Sequence, residues 1–210
     1  MSQSHDSSPD PPELPAGYEN ATGKGDIRIP GAGSFFMGVL LISLSILFGA
    51  SLLALLLIRS RSPQWPPVGF PHLPHSLWIS TALILIASVF AQSALRAIRR
   101  DDDRGLVRDL TLTFLIGLLF LVLQTFNWVE LLNRIQPPLQ IQGAYLGMFY
   151  VLTALHAAHV LGGLIPLGIL LYRAHRKRYS RNFHPGVRYC TIYWHFLDIV
   201  WVILFLTLYF

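Results

Sequence analysis

Long apolar runs alternate with short polar segments from about Phe35 to the end of the chain. A helix rises 1.5 Å per residue, so about 20 apolar residues cross the roughly 30 Å of a bilayer's hydrocarbon. The pattern predicts an all-α, polytopic membrane bundle of five spanning helices, at about 35–58, 77–98, 110–132, 143–172 and 189–210. The first is free of charge. The second carries Arg96 near its end, where a long stem reaches the interface. The third closes on Asn127, Trp128 and Glu130, and the fourth holds His156 and His159 near its middle. No internal repeat supports a solenoid.

Residues 1–30 break this pattern. They hold prolines, serines and glycines, with five acids against Lys24 and Arg28, too little apolar area to offset chain entropy, so a disordered tail is expected. The tail lacks the basic start, short apolar core and cleavage site of a secretory signal, so the first apolar run is expected to stay as a membrane helix. The 31–210 region is then one transmembrane domain.

Cations set the predicted orientation. The tail holds two, the loop after the second helix five (Arg96, Arg99, Arg100, Arg104, Arg108) and the loop after the fourth six (Arg173, Arg176, Lys177, Arg178, Arg181, Arg188), against Arg59, Arg61 and Arg134 on the other side. The positive-inside rule puts the N-terminus in the cytoplasm and the C-terminus outside. The proline-rich stretch from Ser62 to Pro74 becomes an external loop.

Composition agrees. Hydrophobic residues make up 53% and charged residues 13%, whereas a soluble domain carries about a quarter charged. The net charge of +5 comes from short runs between apolar stretches and fits anionic lipid headgroups, not nucleic acid. The single Cys190 excludes an internal disulfide, a thiolate cluster and a Cys-x-x-Cys-His haem attachment; it reads as a small apolar residue. No phosphate loop, carboxylate-pair hydrolase pattern or nucleophile elbow is present. Asp101, Asp102 and Asp103 are expected to cap a loop in water, and Trp65, Trp78, Trp128 and Trp194 to anchor helices at the interfaces.

Three polar stripes interrupt the apolar helices at steps of three: Gln124, Asn127 and Glu130; His156 and His159; His195 and Asp198. They suggest one polar seam inside the bundle. Its chemistry stays open at this level. Histidines with a carboxylate are metal-ligand types; His159 and His195 could hold a haem; chained Glu, His and Asp relay protons in membranes; and such groups also simply fix helix register. Gly162, Gly163 and Gly168 are expected to admit a neighbouring helix closely. The His195–Asp198 turn is expected to face protein and not lipid.

Two of these segments together resemble subunit III of the haem-copper oxidases, in its cytochrome c and quinol oxidase forms. Leu152 to Gly163 looks like a helix of the five-helix members, and Tyr193 to Trp201, with Trp194, looks like the family's final-helix signature. Trp65 to Gly69, and Gly117, Phe120 and Gln124, add weaker likeness; the resemblance spans about Phe35 to Phe210. It implies a subunit with no redox centre or metal of its own, packed against the haem- and copper-bearing subunit I, with subunit II and others nearby. It implies phospholipid binding, support of proton uptake into subunit I and protection from turnover inactivation. The setting implied is a bacterial cytoplasmic membrane and aerobic electron transport, with the chain a non-catalytic part of an oxidoreductase.

Arg173 matches a basic position that contacts a lipid phosphate in relatives. The chain looks like the short form that lacks the first two of seven helices. It departs from the family pattern where a membrane-buried glutamate is replaced by Leu44, where Asn127 stands for another glutamate with Glu130 a turn later, and at Arg188. The donor, cytochrome c or quinol, is open. The alternatives are an accessory subunit of a nitric oxide reductase and an independent proton or solute transporter, although the inverted repeats and broken helices of transporters are not seen.

Overall fold

The structure, a computed structural model, describes residues 32–61, 75–134, 143–176 and 185–209. The tail, the Ser62 to Pro74 loop with Trp65, and Lys177, Arg178 and Arg181 lie outside these. Every described element is helical: α1 (Ala32–Arg61), α2 (Ser76–Arg99), α3 (Asp103–Arg134), α4 (Gly143–His175) and α5 (Pro185–Tyr209). All five are long and apolar enough to cross a membrane.

The third helix starts at Asp103 and not at Leu110, because the acidic run builds a corner. Asp101 takes a left-handed conformation, φ 55°. Its N–H donates to the Ile98 carbonyl at 3.2 Å and that of Asp102 to the Ala97 carbonyl at 3.1 Å, the paired bonds that close a Schellman helix end. Asp102 then caps α3, its Oδ1 accepting the Gly105 N–H at 2.9 Å. Asp103 lies in the first turn, where a carboxylate complements the helix dipole. Hydropathy alone missed these turns because Arg104, Arg108 and Asp109 fall in them.

Helices α2 to α5 close a ring, with α2 and α4 each packed between α3 and α5. Small side chains on α2 make this closeness attainable. Ala87 and Ala91 are buried, and the hydroxyls of Thr113 and Thr191 come within 3.5 and 3.3 Å of their carbonyls from either side. On α5, Val187, Thr191, Trp194, Asp198, Trp201, Phe205 and Leu208 are all buried, a four-three alternation that keeps one seam turned inward along its length.

Helix α1 stands apart. No Cα of α1 comes within 8 Å of a Cα in another described helix, and its buried stripe is short: Leu44, Phe48 and Leu55. Phe48 reaches the His156 and His159 rings, and Ser34 shares a 2.9 Å hydrogen bond with the Tyr189 hydroxyl. Arg96, Arg99, Arg100, Arg104, Arg108, Arg173, Arg176 and Arg188 gather at the end of the bundle holding the α2–α3 corner, and Arg59, Arg61 and Arg134 at the other.

Candidate functional site

The three stripes do not form one seam. Residues three apart on a helix differ by about 60° in direction, and in a ring that offset is enough to send them toward different neighbours. His156 is fully buried at the centre, its ring 5.8 Å from that of Phe120 and 4.9 Å from that of Trp201. Neither of its nitrogens has a hydrogen-bond partner. His159 turns toward α1, its Nδ1–H donating to the Leu155 carbonyl at 2.7 Å and its ring 5.3 Å from Phe48.

On α3, Gln124 is buried without a partner for its amide, while Asn127 is tied to α2. Its Oδ1 accepts from the Ser76 hydroxyl and its Nδ2 donates to Ser80 at 3.4 Å. Glu130 is not interior: it pairs with Arg134 one turn on, its side chain 41% exposed. The inward face at that level is taken by Asn127 and Leu131, so Glu130 does not replace a buried glutamate.

His195 and Asp198 lie between α5 and α2. His195 Nδ1 is 2.5 Å from the Ser88 hydroxyl and its Nε2–H donates to Gln92 Oε1 at 3.1 Å. Asp198 Oδ2 is 3.9 Å from His195 Nδ1, and the Ser88 hydroxyl lies beside its carboxylate. Both residues border a groove open to the outside of the ring. His159 and His195 thus face α1 and α2, and no single space lies between them for a haem. Among the described residues no group of three or more His, Cys, Asp or Glu could hold a metal ion.

Several expectations change at this resolution of detail. Trp194 is no interfacial anchor: it is fully buried and lies against Gly117, where a Cβ would come within 2.8 Å of the indole. Gly163 admits Tyr193 in the same way, at 2.7 Å, but Gly162 has nothing within 4 Å. It opens on a cleft of about 460 Å³ between α1 and the α4–α5 pair, bordered by Met37, Leu40, Leu44, Pro166 and Tyr193. Leu44 therefore puts an apolar side chain in the cleft wall, beside His159. Arg173 is exposed in the last turn of α4.

Sequence reasoning missed the partners on α2. Ser76, Ser80, Ser88 and Gln92 fall on one i, i+4 line, a weak signal because single hydroxyls are common in membrane helices. It also missed Asp109, which is 1% exposed and bound to Arg108 Nε at 2.8 Å. Indole and phenol donors lace the ring: Trp201 to Thr81 at 3.0 Å, Trp128 to Thr153 at 3.0 Å, and Tyr193 to the His159 carbonyl at 2.9 Å.

Five spans joined by interior polar contacts make this a polytopic integral membrane protein. The family model of Cytochrome c oxidase subunit III matches residues 31–210, and the chain belongs to that family. It is 33% identical over 199 residues to cytochrome c oxidase subunit 3 of Synechocystis sp., covering 94% of this chain and 83% of that protein. The Thermostichus vulcanus subunit 3 is 33% identical over 172 residues, 81% and 83% of the two chains. The probable cytochrome c oxidase subunit 3 of Mycobacterium tuberculosis is 36% identical over 151 residues, 70% and 71%.

Proposed function

We propose that the chain is the accessory subunit III of a proton-pumping haem-copper oxidase with cytochrome c as donor, seated in a bacterial cytoplasmic membrane with its N-terminus inside. The haems and copper belong to subunits I and II; this chain stabilises subunit I and supports its proton uptake. The observation that carries the reading is the family match running through all five spans. The gathering of arginines at the α2–α3 end supports the orientation.

The α1 cleft supports a lipid role. Its walls are apolar, and Arg173 lies one turn beyond Ile169 in its lining. An acyl chain along Pro166 and Leu44 would bring its phosphate to the bundle end where Arg173 offers a planar pair of donors. Without Glu at position 44 the cleft is a place for lipid and not for a buffered proton.

Purification through a tag on this chain tests the reading. The expected product holds a larger polytopic haem protein and shows an oxidase haem spectrum; a stable haem-free preparation without such a partner overturns it. Oxidase stripped of this chain is expected to keep its initial rate and lose activity faster during turnover.

A further inference from the structure

The centre of the ring holds two polar side chains that the rest of the chain does not complete. Gln124 and His156 are each 0% exposed. Neither amide atom of the first, and neither ring nitrogen of the second, has a hydrogen-bond partner. Four such atoms inside a close-packed bundle are costly, because the low dielectric around them magnifies every unmade bond.

Both point into the same space. On α3, Asn127 turns to α2 and Trp128 to α4; at roughly 100° per residue the direction of Gln124 falls between theirs. On α4, Thr153 takes the Trp128 indole and His159 turns to α1, with His156 directed between them. Their depths agree as well. Consecutive spans run in opposite directions, so from the Trp128–Thr153 bond the step back to Gln124 and the step forward to His156 lead the same way, by roughly 6 and 4.5 Å. Phe120 closes one side of this level, its ring 5.8 Å from that of His156 and 5.0 Å from that of Trp201.

The neighbours are already engaged. The hydroxyl protons of Ser80, Thr81 and Thr153 go to carbonyls of their own helices, at 3.2, 2.8 and 2.7 Å. The indole protons of Trp201 and Trp128 go to Thr81 and Thr153. A direct bond between Gln124 and His156 would engage one imidazole nitrogen and leave the other, on the far edge of the ring, bare. Whichever nitrogen carries the proton, a neutral imidazole needs one acceptor and one donor, and the amide needs both kinds. The walls include Phe120, Trp201 and Leu152, all buried, and such an enclosure selects the smallest ligand that both donates and accepts, which is water. We infer that bound water bridges Gln124 and His156 at the middle of the ring, an internal site that ties α3 to α4. This goes beyond the proposed function, since every group in the site belongs to this chain.

The test is a density map of the full chain, purified in lipid with whatever partners it holds, at a resolution that shows ordered water. The expected result is a peak about 2.7–3.2 Å from both an amide atom of Gln124 and a ring nitrogen of His156. A map in which the two side chains bond only to each other or to main chain, with no peak between them, overturns the inference. Gln124→Leu, close in size and without polar atoms, is expected to lower the occupancy of that peak about threefold or more, since buried water needs two to four polar partners. Undiminished occupancy overturns the bridge. Where the variant does not assemble, the wild-type map decides. A chain that purifies without any haem protein removes the proposed function and leaves the water to be read from the same map.

Discussion

The α2–α5 ring and helix α1 are both apolar enough to span a membrane, yet they are held in different ways. In a bilayer the hydrophobic effect does not drive helix against helix, because lipid tails are as apolar as leucine; close packing and interhelical hydrogen bonds do. The ring has both. Alanines on α2 and glycines at 117 and 163 admit large side chains, and Trp201, Trp128 and Tyr193 donate across helix boundaries. Helix α1 is held through Phe48 against the α4 histidines, Ser34 with Tyr189, and Arg59 near Tyr145. Hydropathy decides which segments enter the membrane, and packing detail decides which of them form a rigid unit.

The largest test of this contrast places a leucine at two glycines. Gly117→Leu drives a branched side chain into the Trp194 indole and is expected to cost about 3 kcal/mol or more, read as loss of folded chain in detergent unfolding. Gly49→Leu on α1, where nothing lies within 4 Å, is expected to stay within about 0.5 kcal/mol. Equal losses at the two sites would break the distinction.

Phe48→Ala should come next, at about 1–2 kcal/mol of lost packing. Its signature is regional: spin-label distances between α1 and α4 broaden while those between α2 and α5 keep their width. Adjacent glycines give a finer comparison. Gly163→Ala meets the Tyr193 ring and should cost about 1–2 kcal/mol, whereas Gly162→Ala faces the cleft and should be neutral or slightly stabilising. Trp201→Phe, which keeps the ring packing but gives up the bond to Thr81, is expected to lose about 0.6–1.7 kcal/mol.

Much of the site was out of reach from the sequence. Spacing identified His156, His159, His195 and Asp198 as unusual, because an ionisable group in an apolar helix stands out against its neighbours. It did not show that a step of three divides His156 from His159 between the ring's centre and α1. Nor did it reveal the partners, since Ser88, Gln92 and Ser80 are ordinary residues until another helix is laid beside them. Glu130 was misjudged for the same reason: Arg134, four residues on, is as plausible a partner in sequence as the bundle interior, and only the direction of the side chain distinguishes them.

The sequence by itself determined the class of protein, the number of spans, the segregation of cations and the family, because these depend on sums and patterns along the chain: apolar length against bilayer thickness, arginine placement and two extended motifs. The tertiary structure alone decided that four helices close on one another and the fifth stands off, that Trp194 is core, and that Asp198 lies on the groove floor beside Ser88 and His195. Those outcomes turn on angles of tens of degrees and gaps of an ångström between helices far apart in sequence, where the loss of one Cβ at Gly117 makes room for an indole.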